Sequence, residues 1–389
     1  MSIPAAPSSN FVFDVVIAGA GSMGMASGFY LSRSGAKVLL LDPGDPPHSL
    51  GAHHGATRLI RHAYGEGAAY VPLALRAQEL WSDVERDAGL KLFERTGILN
   101  AAPAGHPFIE EVQRSAAEHG LDLQSMSGTE ANGRWPAWRL PADYVACFEP
   151  DAGVLHCEKA VGAFRRLAIA QGAQLRANTS AVRVEPNDDG TATVICDSGE
   201  RFTGRNVIVC AGKATRALIA PLRLDLPITR VRKTFAWFDV APQVFEPNAF
   251  PGFCVFTDLG MHYGFPNLEG KGLKAGRHDL GQPVAPDASL QPFGPRDQED
   301  IEVFLRRYLP GSGQLREGHT CEYDMTPDEH FIIDRVPGHA RIHFAAGFSG
   351  HGFKFASVIG EALAQRITRG ESDADLSLFA CSRFRSGTS

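Results

Sequence analysis

The chain has no apolar run long enough to cross a bilayer. Its longest candidate, Phe11 to Ala20, is half of the roughly 20 residues that a spanning helix needs, and Asp14 interrupts it. No membrane association is therefore expected. There is also no block of Lys and Arg that could track a phosphate backbone, and 38 basic against 44 acidic residues leave a formal charge of −6. This balance excludes nucleic acid as a partner. The seven cysteines (Cys147, Cys157, Cys196, Cys210, Cys254, Cys321, Cys381) form no C-x-x-C pair, so neither a disulfide framework nor a zinc site is suggested. The first ten residues, MSIPAAPSSN, carry no cationic segment of the kind that opens a secretory leader, so the expected location is the cytoplasm. Internal repeats and low-complexity stretches are lacking too. With 44% hydrophobic and 21% charged residues, the 389-residue chain reads as globular, with material for two to three domains.

What is there begins with a βαβ unit. FDVVIAG (Phe13 to Gly19) reads as a strand, Ser22 to Ser34 as a helix, and AKVLLLD (Ala36 to Asp42) as a second strand. Between strand and helix lies GAGSMG, in which Gly19, Gly21 and Gly24 have the G-x-G-x-x-G spacing. Such a turn lets the backbone of Ser22 and Met23 and the helix N-terminus approach a pyrophosphate. Asp42 closes the second strand 18 residues after Gly24, where a carboxylate should accept from a ribose hydroxyl. The motif alone does not separate NAD from FAD. Four histidines follow in a turn-rich stretch (His48, His53, His54, His62). They lack metal-site spacing, so no metal is expected, and they read as loop residues around a cofactor.

Further along, helices are expected from Leu73 to Val84, near Pro107 to His119, from Glu158 to Gly172 and from Pro295 to Leu309. A strand is expected near Gly97 to Ala101, and short strands near Gln174, Ala181, Ala192 and Asn206. From Pro227 to Lys274 the aromatic segments FAWFDV, GFCVF and MHYGFP suggest an antiparallel sheet packed on a bulky ligand. Near the C-terminus AAGFSGHGFKFASVIGEAL runs from a strand through Gly347, Gly350 and Gly352 into a helix. A helix start there would present N–H groups and a positive dipole to an anionic group.

The fingerprint GAGSMGMASGFYL, the stretch DPPHSLGAHHGATRLIRHAYGEGAAYVPLALRAQELW, the segments MHYGFP and GLKAGRH, and the run DEHFIIDRVP…AAGFSGHGFKF together resemble the sarcosine oxidase/N-methyltryptophan oxidase family of FAD-dependent amine oxidases. The resemblance spans nearly the whole chain. It implies an α/β (α+β) fold: a discontinuous Rossmann-like FAD-binding domain (residues 11–95, 145–222 and 320–389) and an antiparallel-sheet substrate domain (96–144 and 223–319). It implies oxidation of sarcosine, or of another N-methyl or cyclic amino acid, by a monomer, with dioxygen as acceptor and hydrogen peroxide as product.

Residue by residue, the resemblance implies FAD joined through sulfur at Cys321, with Arg61 and Lys354 on the substrate carboxylate and His54 and Arg58 against one flavin face. Lys274 is placed beside the oxygen-reacting position, and Tyr263 and His278 line the amine pocket. Three departures stand out: Ala56 replaces the acidic residue of the family's GDTR, Cys254 replaces a methionine at the substrate wall, and Arg277 adjoins His278 at the pocket's rim. A nicotinamide-dependent dehydrogenase would use the same glycine turn without needing the GFSGHGFKF segment, and a non-catalytic flavin-binding module is the other alternative.

Overall fold

A strand that is apolar on both faces must be covered on both, and this favours parallel pairing inside an α/β layer. Val15 to Ala18 are fully buried. In the computed structural model, which describes residues 12–285 and 288–384, strand Val12–Ala18 pairs in parallel with Arg201–Val209 on one side and Val38–Leu41 on the other. Gln174–Arg176 extends the sheet in parallel beyond Val38–Leu41, and Ala192–Cys196 and Ala181–Pro186 extend it antiparallel beyond Arg201–Val209. His339–Ala346 joins Arg201–Val209 in parallel at Val207 to Val209 and carries Ile332–Val336 antiparallel at its side. These elements belong to one compact unit, drawn from the segments Met1–His54, Val161–Ile228 and Asp324–Ser389. Its helices include Ser22–Arg33 and Ala356–Thr368.

The second unit takes Gly55–Ala160 and Thr229–Tyr323. Its nine-stranded sheet runs Gln282–Val284, Thr229–Val240, Leu273–Arg277, Gly260–Phe265, Gly252–Thr257, Ile98–Pro103, Tyr144–Glu149, Gln124–Ser127, with Ser312–Met325 also on Thr229–Val240. The expected antiparallel sheet is present, and within it Gly252–Thr257 departs by lying parallel to Ile98–Pro103. One sheet face buries Leu99, Phe148, Phe238, Phe253 and Val255 with Ile301, Phe304 and Leu305 of helix Pro295–Tyr308. That helix starts on Pro295, and Asp297 accepts the N–H of Gly294 at 2.9 Å.

The sequence reading drew the domain boundaries differently. Segments 55–95, 145–160 and 320–323 pack in the second unit, the first two because Thr57–Ile60, Gly153–His156 and Phe93–Glu94 form a small sheet of their own. That sheet is tied to the larger one through Gly97, whose N–H reaches Ala152 O at 3.0 Å and whose carbonyl accepts from Gly252 N at 3.1 Å. Residues 223–228, conversely, belong to the first unit. Residues 1–11, on which the expectation of no secretory leader rests, and residues 286–287 and 385–389 lie outside the described residues. Among the described residues no helix is long and apolar enough to cross a membrane.

Candidate active site

In the first unit the glycine turn is a close approach of backbone to backbone. Gly19 sits at φ 95°, and a Cβ on it would come within 2.4 Å of Cys210 O; a Cβ on Gly24 would come within 1.8 Å of Gly19 O. Helix Ser22–Arg33 starts from Gly21 without a side-chain cap, so its first N–H groups face outward from the turn, while Met23 points into the core. Asp42 holds the turn: Oδ2 accepts from Ala20 N at 2.7 Å, and Oδ1 accepts from Gly44 N at 2.9 Å and meets His48 Nε2 at 2.7 Å. His53 Nε2 accepts from His48 N at 3.1 Å. His54, half-buried, ends this segment.

The C-terminal turn of the same unit departs from expectation in one respect. After Gly347 (φ 61°), Ser349 (φ 46°) and Gly350 (φ 80°), Gly352 leads into a 3-10 turn, Phe353–Phe355, and the helix begins only at Ala356. Lys354 thus lies in the turn before the helix. It is buried, and its Nζ donates to His351 O at 2.9 Å.

The second unit assembles the other cations on the sheet face opposite helix Pro295–Tyr308. Side chains alternate along a strand and directly paired residues share a face. The register Trp237↔Lys274↔Phe265 therefore puts these three together. Lys274 is 2% exposed, and its Nζ lies 4.6 Å from the Phe265 ring centroid, 4.7 Å from Phe235 and 5.3 Å from Trp237. It donates to the carbonyls of Gly55 and Thr57 and to the Thr57 hydroxyl at 3.3 Å. Burial, then the neighbouring Arg58, pushes its pKa down to about 7.

Arg58 donates to Thr57 O at 2.8 Å and to Cys157 Sγ at 3.7 Å. Cys321 is buried; burial raises its pKa, and Arg58, Lys274 and Lys233 work against that rise. Burial also raises the pKa of Tyr263, so its phenol stays protonated. Tyr263 is hydrogen-bonded to Tyr323, whose ring centroid lies 5.5 Å from that of His278.

Arg61 is buried beside the Tyr64 ring (4.6 Å) and the Phe108 ring (5.7 Å). Burial opposes its charge, but Glu66, Cys254 and Tyr64 outweigh that and its pKa is raised. Nη2 is bonded to Glu66, whereas Nη1 is buried with no hydrogen-bond partner among the described residues.

Arg277 is paired with Asp279 (2.9 Å) and Asp300 (2.8 Å). His62 is buried on Glu149, which also accepts its backbone N–H at 2.8 Å. Sequence reasoning passed over Glu158, whose Oε1 accepts from Gly55 N (2.8 Å) and Ala56 N (3.1 Å) and so shapes the turn offered to Lys274. It also missed Glu66 and Tyr323; the latter stands two residues beyond Cys321 in one strand, a spacing that shares a face.

A model of the FAD-dependent oxidoreductase family matches residues 14–366. The monomeric sarcosine oxidase of Bacillus sp. (strain B-0618) is 44% identical over 377 residues, covering 95% of this chain and 96% of that protein. The N-methyl-L-tryptophan oxidase of Yersinia pestis (strain Pestoides F) is 40% identical over 376 residues, covering 96% and 100%. The solved structure of NikD, an unusual amino acid oxidase essential for nikkomycin biosynthesis, superposes with a TM-score of 0.85 at 23% identity, covering 95% of this chain and 97% of that one, a likeness of fold.

Proposed function

The chain belongs to the FAD-dependent oxidoreductase family, and from that premise we propose that it oxidises secondary amino acids, sarcosine first: sarcosine, dioxygen and water give glycine, formaldehyde and hydrogen peroxide. The 44% identity to a monomeric sarcosine oxidase over nearly the whole chain carries the choice of substrate and supports action as a monomer.

The residues present fit FAD. The Gly19 to Gly24 turn packs backbone on backbone with no room for a Cβ at Gly19 or Gly24, the following helix start is uncapped, and Asp42 keeps lone-pair capacity beside its three contacts. When bound, FAD supplies the acceptor for the two electrons of the C–H bond and passes them to dioxygen.

The protein's own side chains do the rest. Arg61, through the Nη1 that has no hydrogen-bond partner among the described residues, and Lys354 hold the substrate carboxylate, and this fixes which C–H bond is presented. Tyr263 and His278 wall the amine. Tyr263, its pKa raised by burial, stays protonated and supplies no base for the C–H cleavage. Arg58 and His54 support the flavin ring, and Cys321 tethers it. The ammonium of Lys274, in its aromatic cage, steadies the negative charge that dioxygen takes up.

The test is an absorption spectrum of the purified protein with and without sarcosine, together with a peroxide assay. A yellow protein that bleaches anaerobically and forms peroxide in air is the expected result; a colourless protein, or one inert to sarcosine and to N-methyl and cyclic amino acids, overturns the reading. Denaturation in acid reads the tether: colour should stay with the wild-type chain and leave it in Cys321→Ser.

A further inference from the structure

One residue from each of seven neighbouring strands stands in register across the second unit's sheet: Ser125, Cys147, Asn100, Cys254, Tyr263, Gly276 and Phe235. Directly paired residues share a face, so this row lies on the side that carries Lys274. Gly276 leaves room in it for Tyr263, since a Cβ there would come within 2.7 Å of the Tyr263 hydroxyl.

The member beyond Cys254 is Asn100. It is fully buried, and neither its carboxamide oxygen nor its nitrogen has a partner among the described residues. A buried amide unsatisfied at both ends is costly and calls for an occupant that pairs with it. The row's other hydroxyl, Ser125, faces Cys147 Sγ at 3.4 Å.

A second orphan flanks the same cysteine. The buried Nη1 of Arg61, without a partner among the described residues, belongs to a guanidinium that interacts electrostatically with Cys254. Cys254 occupies the position where the resemblance leads one to expect methionine, and its side chain is two heavy atoms shorter. Cys254 is the neighbour that the cation suited to a carboxylate and the unsatisfied amide share, and it is a short one.

We propose that Asn100 is a specificity-determining residue that reads a carboxamide or hydroxyl on the substrate's side chain, past Cys254, while Arg61 holds the carboxylate. The inference rests on the proposed oxidation of secondary amino acids. A carboxamide is the fullest complement, because its donor and acceptor satisfy those of Asn100 head to tail. Sarcosine has no side chain and leaves the amide unpaired.

The experiment compares kcat/KM of the holoenzyme for N-methyl-L-asparagine with that for its apolar isostere N-methyl-L-leucine. A site built around a buried hydrogen bond rejects the analogue that lacks it, so the wild-type ratio should be about 100 or more in favour of the amide. Asn100→Leu should lower that ratio tenfold or more, and a ratio does not depend on how much of the variant folds. Cys254→Met, which rebuilds the wall with Asn100 intact, should lower it as well. The melting temperature of substrate-free Asn100→Leu should not fall, since the change removes an orphaned amide. A wild-type ratio near 1, or a high ratio that survives Asn100→Leu, overturns the inference while leaving the amine-oxidase reading in place. A wild-type enzyme inert to these amino acids and to sarcosine overturns the reading, and the inference with it.

Discussion

The two units build their sites by different means. In the first, the working atoms are mostly backbone: N–H groups at a helix start and a turn in which Gly24 lies against Gly19. In the second, the working atoms are side chains, brought together only by the pairing of strands far apart in the chain. Lys274 is caged by Phe235, Trp237 and Phe265, and receives its carbonyl partners from Gly55 and Thr57. A backbone site is specified within one short stretch of sequence. A site made by register depends on every strand between its members, since a slip of one residue turns each side chain to the other face.

The largest expected effect is on the first kind of site. In Gly24→Val the added side chain meets Gly19 O, which the turn cannot move without losing its shape. The purified variant should carry no flavin, read as loss of the visible absorption bands; a yellow Gly24→Val would show that the cradle is more plastic than its backbone contacts imply.

The next effect belongs to the second kind. Replacing Lys274 by Met keeps an unbranched side chain in the aromatic cage and removes the charge. Reoxidation by dioxygen should slow about 10²- to 10³-fold, as for loss of one preorganised charge-stabilising donor, with anaerobic reduction by sarcosine changed far less. Stopped-flow traces separate the two half-reactions, and equal slowing in both would make Lys274 a packing residue.

This contrast explains what could be read from the sequence. The βαβ unit, the Gly19 to Asp42 spacing and helix Pro107–His119 were legible because glycine spacing, periodicity and capping are local signals. The domain boundaries were not, because Thr57–Ile60 finds its partner in Gly153–His156, about a hundred residues away. Lys274, Tyr263 and Cys321 came from the resemblance; nothing in their own neighbourhoods marks a lysine, a tyrosine and a thiol as members of one site. Glu158 and Asn100 escaped both routes. One is an ordinary first-turn glutamate of helix Cys157–Ala170, the other an asparagine in an apolar strand, and each acquires meaning only from what the fold sets beside it.

Arg61 sharpens the comparison, because half of its fork is already engaged by Glu66 while Nη1 is free among the described residues. Arg61→Met should raise the dissociation constant of a carboxylate ligand by ten- to a thousandfold, about 1.4 to 4 kcal/mol. The binding of the corresponding neutral amide should change little. Spectral titration with the acid and the amide checks this, and equal losses for both would mean that Arg61 shapes the pocket without reading charge.

The smallest expected effect tests whether a local rule also holds inside the second unit. Ala56 adopts φ 68°, a left-handed conformation that costs a residue with a Cβ on the order of 1 kcal/mol. The turn is held there from outside: Glu158 accepts the N–H of Gly55 and of Ala56, Thr57 N reaches Gly55 O at 2.8 Å, and Cys157 N reaches Ala56 O at 2.8 Å. These bonds fix the Gly55 carbonyl that meets Lys274, so the strain is borne where the cation is positioned. Asn tolerates the left-handed region better than Ala, through local hydrogen bonding of its short polar side chain. Ala56→Asn should therefore stabilise the protein by ~0.5–1 kcal/mol, a rise in Tm of roughly 0.5–1 °C for a chain of this size. Thermal unfolding monitored by circular dichroism measures it. If Ala56→Asn lowers the Tm, the backbone at this turn is dictated by its neighbours more strongly than by its own residue, and even this feature of the second unit is set by contacts distant in sequence.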